Sequence, residues 1–411
     1  MSFSRRSFVG LVSGAAMYPL LARPSYGLSQ QRPTIRATAE LTNFGDLARA
    51  SEIWRFMDEQ GQSLIKGVQG DMLDVSIQND LPEPTSVHWH GLRVPNEYDG
   101  VPGQGYEPIA PGENTNVSFK LKDPGTYWYH SHNRGWEQVA RGLYGPLVIA
   151  NPAEPQIPEF TVVIDDWTID PSEALDWSGL GNPHSWSHGG DQGNITTANG
   201  QWQPTIIVPS SGYFRLRILN AATARLFTPI VEGLKAKIIA LDGFGTRPFD
   251  PQDRFLILGP SQRIDLLVDA SSLSGEMIEI NEGGFPLFFL SATGDPAEGG
   301  SDISAGFTDY HPPELMPETS AAQKVELYME GGAMGSMMSA KIDGQDTGWD
   351  GLIEAQKFWA FNGHADGGPD PLFRARVGET VDLRIINDSG WPHIIHFHGH
   401  HVQSRRNEAV P

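Results

Sequence analysis

The chain has 411 residues and a formal net charge of −21, from 29 Lys and Arg against 50 Asp and Glu. Nucleic-acid binding needs a basic surface and docking on anionic lipid needs basic clusters, so this charge argues against both partners. The chain has no cysteine, which excludes disulfides, thiolate catalysis and iron–sulfur ligation. Histidine remains as the main ligand for a soft metal, and the 46 Gly and 31 Pro predict a turn-rich, all-β protein.

Residues 1–27 have the pattern of an export signal. Arg5 and Arg6 precede a short apolar run from Phe8 to Ala22, and this run is shorter than the about 20 residues that a transmembrane helix needs. The paired arginines resemble a twin-arginine signal. We therefore expect a periplasmic or otherwise exported protein without an integral membrane span. The alternative is a chance arginine pair beside a membrane anchor.

A repeated unit divides the rest of the chain. Residues 70–79 and 378–387 both read Gly-acid, then alternating apolar residues, then Asn, and in each copy the Gly lies 18 residues before an H-x-H-G motif. A third copy, residues 212–220, is one residue shorter and has no such motif after it. Equal spacing in distant segments indicates homologous units, with metal ligands in the outer two and none in the middle one.

The repeat predicts three β-sandwich domains, the third incomplete, in which one face of each strand packs against the opposite sheet. Their predicted bounds are 33–151, 158–294 and 319–411. Alternating or β-rich sequence predicts strands at Met72–Ile77, Thr115–Leu121, Phe160–Ile164, Phe214–Leu219 and Arg263–Val268.

Nine of the 13 histidines fall in three short runs. His88 and His90 form the first, His130 and His132 the second, and the third extends from His393 to His401. On a strand, residues i and i+2 point to the same side, about 6–7 Å apart, so each H-x-H directs two imidazoles to one face. Six such imidazoles exceed the needs of one ion, which favours several metals held close together.

His393 lies three residues before His396. In an extended strand this odd offset points to the opposite face. We therefore expect His393 to serve a separate metal centre, with electron transfer between the two centres.

These motifs resemble those of three-domain multicopper oxidases, the family of laccases and bacterial cuprous or phenol oxidases. The resemblance covers about residues 33–411 and is carried by three segments, 88–92 (HWHGL), 127–132 (YWYHSH) and 392–400 (PHIIHFHGH). It implies cupredoxin-like Greek-key domains with copper as the cofactor. It also implies a type 1 copper that accepts electrons and a trinuclear cluster, between the first and third domains, that reduces O₂ to water.

The resemblance also implies roles for individual residues. His88 and His396 correspond to the ligands of the type 2 copper, and His393 to a ligand of the type 1 copper. Asp99 corresponds to a catalytic carboxylate that aids proton delivery, although it can also be read as a turn residue before Gly100. The type 3 pair corresponds to His90, His130, His132 and His398.

The implied partners are O₂ and a small-molecule or metal-ion electron donor, with phenols, Cu(I) and Mn(II) all compatible, and we expect a monomer. The family's last motif, H-C-H, is missing, and the chain has no cysteine. His88 and His130 lie 42 residues apart, and the same spacing after His396 falls beyond residue 411. We therefore expect a C-terminally truncated chain that lacks the type 1 thiolate and oxidase activity, or a natural short form.

Two other protein classes remain as alternatives. A copper-poor cupredoxin-like scaffold of the cell envelope would have lost cluster histidines, whereas this chain keeps them. A nitrite-reducing copper enzyme would have fewer H-x-H pairs and a cysteine in its first domain. We expect the remaining histidines and the methionine cluster to lie outside the ligand set, although thioethers also favour Cu(I); these residues are His184, His188, His311, His364, His400, His401, Met329, Met334, Met337 and Met338.

Overall fold

The computed structural model describes residues 32–44, 49–251, 256–273, 277–297, 303–310, 312, 317–368 and 370–404. The predicted export signal, 1–27, lies outside them. No helix among the described residues has the length and apolar character that crossing a bilayer requires.

The first group of strands forms two four-stranded sheets, with the orders β2-β1-β4-β6 and β3-β8-β7-β5. In β4, Leu73, Val75 and Ile77 are buried whereas Met72 and Asp74 are exposed, so one face of that sheet packs into the core. The strands are β1 (Thr34–Thr42), β2 (Ser51–Met57), β3 (Ile65–Val68), β4 (Met72–Asn79), β5 (His88–His90), β6 (Asn114–Lys120), β7 (Gly125–His130) and β8 (Tyr144–Ala150).

The second group forms a six-stranded sheet, β10-β9-β12-β15-β13-β14, and a three-stranded sheet, β11-β17-β16. Strands β12 and β15 are buried along nearly their whole length, as expected for strands covered on both faces. The strands are β9 (Glu159–Trp167), β10 (Ile195–Ala198), β11 (Thr205–Pro209), β12 (Tyr213–Asn220), β13 (Lys235–Leu241), β14 (Phe244–Phe249), β15 (Arg263–Asp269), β16 (Met277–Glu282) and β17 (Phe285–Gly294).

The third group forms the sheets β21-β18-β22 and β19-β20. No residue of β22 is buried, in contrast to the corresponding β12. The strands are β18 (Gln323–Gly331), β19 (Ser339–Ile342), β20 (Gln345–Gly348), β21 (Trp359–Phe361) and β22 (Val381–Ser389).

Helices are short in the described part of the chain. The α-helices are α1 (Gly135–Gln138), α2 (Pro183–Ser187) and α3 (Trp349–Glu354), and the 3₁₀ helices are Asn96–Tyr98, Ala270–Leu273 and Ser304–Gly306.

The prediction of an all-β fold is confirmed. The five predicted strands coincide with β4, β6, β9, β12 and β15, except that β6 ends one residue before the predicted Leu121.

The sequence repeat corresponds to a structural repeat. In each group the first strand pairs in parallel with the strand of the repeat motif, β1 with β4, β9 with β12 and β18 with β22. Each motif ends on an asparagine, Asn79, Asn220 or Asn387. Its side-chain oxygen accepts a hydrogen bond from the backbone N–H two residues later, and its amide donates to a backbone carbonyl four or five residues later. Asparagine forms such turns readily, which explains its place at the end of each repeat strand.

A buried charge network joins the first group to the second. Arg217 is fully buried and donates to Asp265 at 2.7 Å, to Glu159 at 2.6 Å and to the Thr126 hydroxyl at 2.7 Å. Thr126 in turn donates to Asp265 at 2.6 Å. Because Thr126 belongs to β7, this network anchors the strand that ends at His130.

Replacing Arg217 by methionine should destabilise the protein strongly. The substitution removes the closest cation of the buried Asp265 and of Glu159 and leaves Arg215 at 3.9 Å and 3.5 Å from their carboxylates. Breaking a buried ion pair of this kind typically costs about 3–5 kcal/mol. Urea denaturation measures the free energy of unfolding. The control is Arg384→Met, because Arg384 forms an exposed pair with Glu326 at 3.2 Å and such pairs contribute about 1 kcal/mol or less. Equal losses in the two variants would contradict a stabilising role for the buried network.

Candidate metal centre

Two of the histidine motifs lie on neighbouring antiparallel strands. In the pairing of β5 with β7, His88 lies opposite His130 and His90 lies opposite Trp128. His132 follows two residues after the end of β7. His88 and His90 are 1% and 5% exposed, and His130 and His132 are half-buried. The strand pairing brings the His88 and His130 positions together, next to the buried His90.

The third motif reaches the same place from the other end of the chain. The Nε2 atoms of His88 and His396 lie 3.3 Å apart. The ring of His396 stacks on that of His90 at 3.7 Å, and the ring of His398 stacks on that of His88 at 4.1 Å. His132 meets His398 edge-on at 4.9 Å. The structure therefore brings the imidazoles of all three H-x-H motifs together.

The backbone of this third motif differs from the prediction. His396 and His398 were expected on a strand, but residues 392–400 form none. A strand needs a hydrogen-bonded neighbour, and none of the described residues pairs with this segment. Its imidazoles are placed by side-chain contacts instead of by strand alternation.

The nitrogen positions fit metal ions. Two groups of three histidines have ligand atoms within 4.8 Å of one another, His88 with His396 and His398, and His88 with His90 and His130. Imidazole nitrogens bind ions such as zinc at about 2.0–2.1 Å, so two nitrogens on one ion lie at most about 4.2 Å apart. The 3.3 Å separations of His88 from His396 and of His90 from His130 satisfy this limit.

Burial disfavours the charged form of five of these imidazoles. It lowers the pKa of His88, and it lowers those of His90 and His130 well below 6.5. Burial, with repulsion from neighbouring histidines, lowers the pKa of His132 to about 4 and that of His396 to about 3. Neutral imidazole is the form that binds a metal, so the cluster holds its donors ready at neutral pH.

Asp99 orients two of the histidines. Its Oδ2 accepts from Nδ1 of His398 at 3.0 Å, and its backbone carbonyl accepts from Nδ1 of His88 at 2.9 Å. With Nδ1 engaged, Nε2 of each ring is left for a metal, a common arrangement at metal sites. Burial alone would raise the pKa of Asp99, but hydrogen bonds from His398 and His88 hold it below its usual value.

The turn at Asp99 depends on glycine at position 100. Gly100 has φ of 73°, and a Cβ atom there would lie 1.9 Å from the carbonyl oxygen of Val87. Because Gly100 has no side chain, the turn can pack directly against the backbone of Val87 and His88, where strand β5 begins. Asp99 is therefore both the turn residue and the hydrogen-bond partner of the cluster.

His393 lies in different surroundings. Its Nε2 is 2.9 Å from the Ser389 hydroxyl, its ring meets Trp359 edge-on at 4.9 Å, and burial lowers its pKa. These contacts are with side chains outside the six-imidazole cluster. Strand alternation cannot place His393 here, because residues 392–400 do not form a strand.

Of the other histidines, His311 lies outside the described residues, and the rest differ in exposure. The tilted rings of His184, on helix α2, and of His188, which directly follows that helix, lie 3.9 Å apart, and His400 is exposed. The side chain of His401 is 6% exposed, and its Nε2 bonds the Gly91 carbonyl at 2.8 Å. Sequence reasoning did not foresee this contact, since a histidine after the motif gives no signal of burial. It also missed the buried polar residues behind the first two motifs, Thr85, Ser86, Ser131 and Gln138.

Comparisons with known proteins point to a copper-binding family. Two family profiles, both described as multicopper oxidase, match residues 45–154 and 345–410. The first range contains the motifs at His88 and His130, and the second contains the motif at His396.

Three relatives illustrate the similarity. Multicopper oxidase MmcO of Mycobacterium tuberculosis is 29% identical over 387 residues, which cover 85% of this chain and 71% of that protein. A copper resistance protein A homolog of Pseudomonas syringae pv. tomato is 30% identical, over 50% of this chain and 42% of that protein. The crystal structure of Lac15 from a marine microbial metagenome is 30% identical with a TM-score of 0.59, over 72% of this chain and 74% of that one.

The chain thus spans less than half the length of the copper resistance relative. Its two profile matches, its relatives and its all-β fold with clustered histidines all lead to the same assignment. The chain belongs to the multicopper oxidase family, whose members are copper-binding oxidoreductases.

Proposed function

We propose that this protein is an exported multicopper oxidase in lineage, whose histidine cluster holds the copper at which O₂ is reduced to water. The observation that supports it best is the convergence of His88, His130 and His396 from separate segments. Copper bound there would supply the one-electron redox chemistry of O₂ reduction. The electron donor would be a phenol or a metal ion, and the net charge of −21 favours a cationic donor.

We assign His88 and His396 to the type 2 copper, and this is supported by the 3.3 Å between their Nε2 atoms. We assign His90, His130, His132 and His398 to the type 3 pair. The support is the 3.3 Å contact of His90 with His130 and the ring contact of His132 with His398.

We assign proton delivery to Asp99. Its Oδ1 lies 3.3 Å from Nδ1 of His88 and is buried without a satisfied hydrogen bond. A carboxylate in this position can accept a proton and pass it on beside the cluster. Its low pKa keeps it ionised at neutral pH, so its carboxylate stays available as the acceptor for Nδ1 of His398.

We assign His393 to the second, electron-accepting centre. A type 1 copper also needs a thiolate, and the chain has no cysteine. We infer that the 411-residue chain binds copper at the histidine cluster but does not turn over a phenolic or metal-ion donor. Retention of the H-x-H histidines disfavours the alternative of a copper-poor scaffold.

We also propose export to the periplasm by the twin-arginine route. The support is Arg5 and Arg6 before the apolar run, the pattern of a signal that carries folded cargo. We also propose that the protein is a monomer.

Replacing His88 by glutamine should remove copper from the cluster. His88 belongs to both groups of three ligand atoms, so its loss affects both, and binding should weaken about tenfold or more. Copper per chain is measured by elemental analysis after dialysis against Cu(II) and a competing chelator. His184→Gln, at an exposed position, is the matched control and should retain the wild-type copper content. Equal copper in both variants would overturn the site assignment.

The metal-free protein should lose stability on acidification because of the buried histidines. An unfolded histidine binds a proton below about pH 6.5, whereas the folded pKa is about 4 for His132 and about 3 for His396. The unfolded state therefore gains protons first, and the free energy of unfolding falls as the pH falls from about 6.5.

Urea denaturation at pH 7 and pH 5 tests this linkage. Replacing both His132 and His396 by glutamine should reduce the loss between these two pH values by about 1–2 kcal/mol, after allowance for solvent screening. The pH 7 measurement of each protein is its own reference. An unchanged loss in the double variant would show that these imidazoles titrate normally in the folded state.

A further inference from the structure

A network of buried polar side chains lies behind the first two histidine motifs. It consists of Thr85, Ser86, Ser131 and Gln138, all of which are fully buried. Polar groups are costly to bury unless they are hydrogen-bonded, so a cluster of them beside the predicted ligands calls for an explanation.

Gln138 is the centre of this network. Its Oε1 accepts from the Thr85 hydroxyl at 2.8 Å and from the Ser131 hydroxyl at 2.5 Å. Its Nε2 donates to Oε1 of Glu83 and to the Pro84 carbonyl, both at 3.0 Å. Two donors and two acceptor positions are the full capacity of a glutamine amide, so every one of its polar positions is used.

Ser131 connects Gln138 to the second motif. It lies between His130 and His132, its hydroxyl accepts from the N–H of Asn133 at 3.1 Å, and its carbonyl lies 2.9 Å from Nδ1 of His130. The Gln138 amide therefore fixes a residue whose backbone orients the His130 ring. Nothing in the side chain of Gln138 needs to touch a metal for this effect.

The same network reaches the first motif. The Ser86 hydroxyl accepts from the backbone N–H of His132 at 3.0 Å, and Thr85 and Ser86 lead directly into the strand that begins at His88. Because Gln138 bonds both Thr85 and Ser131, it connects the segment that precedes the first motif to the middle of the second motif.

We propose that Gln138 is a positioning residue that holds His130 and His132 in register with His88 and His90 for metal binding. The expected effect on copper affinity rests on the proposed function. Its structural part, the ordering of residues 130–133, stands on the hydrogen bonds alone.

Gln138→Met tests the proposal, since methionine has similar size and none of the four hydrogen bonds. Copper affinity is measured by competition titration against a chelator, and we expect about 10–100-fold weaker binding, the range found when partners behind metal ligands are removed. Asn220→Leu is the matched control, because Asn220 is a fully buried amide in the second group with a comparable set of bonds. It should lose stability but keep its copper affinity within about twofold.

A pair of conservative variants separates positioning from loss of folding. Gln138→Glu keeps an acceptor for Thr85 and Ser131 but turns an oxygen toward Glu83, so it should also weaken copper binding. Adding Glu83→Gln restores a donor facing that oxygen, although not the bond to the Pro84 carbonyl, and should recover part of the affinity. Recovery would support a hydrogen-bonding role, and equal weakness of the single and double variants would contradict it.

Hydrogen exchange of the metal-free protein makes the result independent of copper. In Gln138→Met the amides of His132 and Asn133, which bond Ser86 and Ser131, should exchange about tenfold faster or more than in Asn220→Leu at matched global stability. If the wild-type protein bound no copper, the proposed function would fail while this measurement still decided the role of Gln138. Unchanged exchange, or unchanged copper affinity in a copper-binding wild type, would overturn the inference.

Discussion

The structure depends on packing six imidazoles into one cluster. Each is desolvated to some degree, and bringing nitrogen lone pairs together, as at the 3.3 Å contact of His88 with His396, is unfavourable unless a proton or a metal ion lies between them. Protonation is opposed by burial and by the neighbouring histidines, which lower the pKa of His90 and His130. A bound metal removes this conflict, since it uses the lone pairs without adding protons.

The rest of the fold holds this cluster from several sides. Asp99 forms hydrogen bonds with Nδ1 of His88 and Nδ1 of His398. The network around Gln138 supports the backbone of the second motif. Further along β7, Thr126 is fixed by the buried Arg217 of the second group of strands. None of the described residues of the middle group belongs to the histidine cluster, yet its buried charge network anchors the strand that ends at His130.

The sequence predicted the fold class and the chemical nature of the site well, because both leave periodic traces. The repeats around Asn79, Asn220 and Asn387 correspond to strands in equivalent parallel pairings, and strand alternation placed His88 and His90 correctly on β5. The conformation around His396 was predicted wrongly, because alternation assumes a paired strand and the segment has none among the described residues. Gln138 was missed because its role comes from contacts with residues 53 to 55 positions away, and no local pattern records such contacts.

The central claim is that histidines from separate segments bind copper in one place. Diffraction from crystals of the copper-loaded protein, with anomalous data collected at the copper absorption edge, tests it most directly. The account predicts an anomalous peak within bonding distance, about 2.0–2.1 Å, of the Nε2 atoms of both His88 and His396. Copper found only at surface sites such as His184 and His188, with no peak between those two nitrogens, would contradict it.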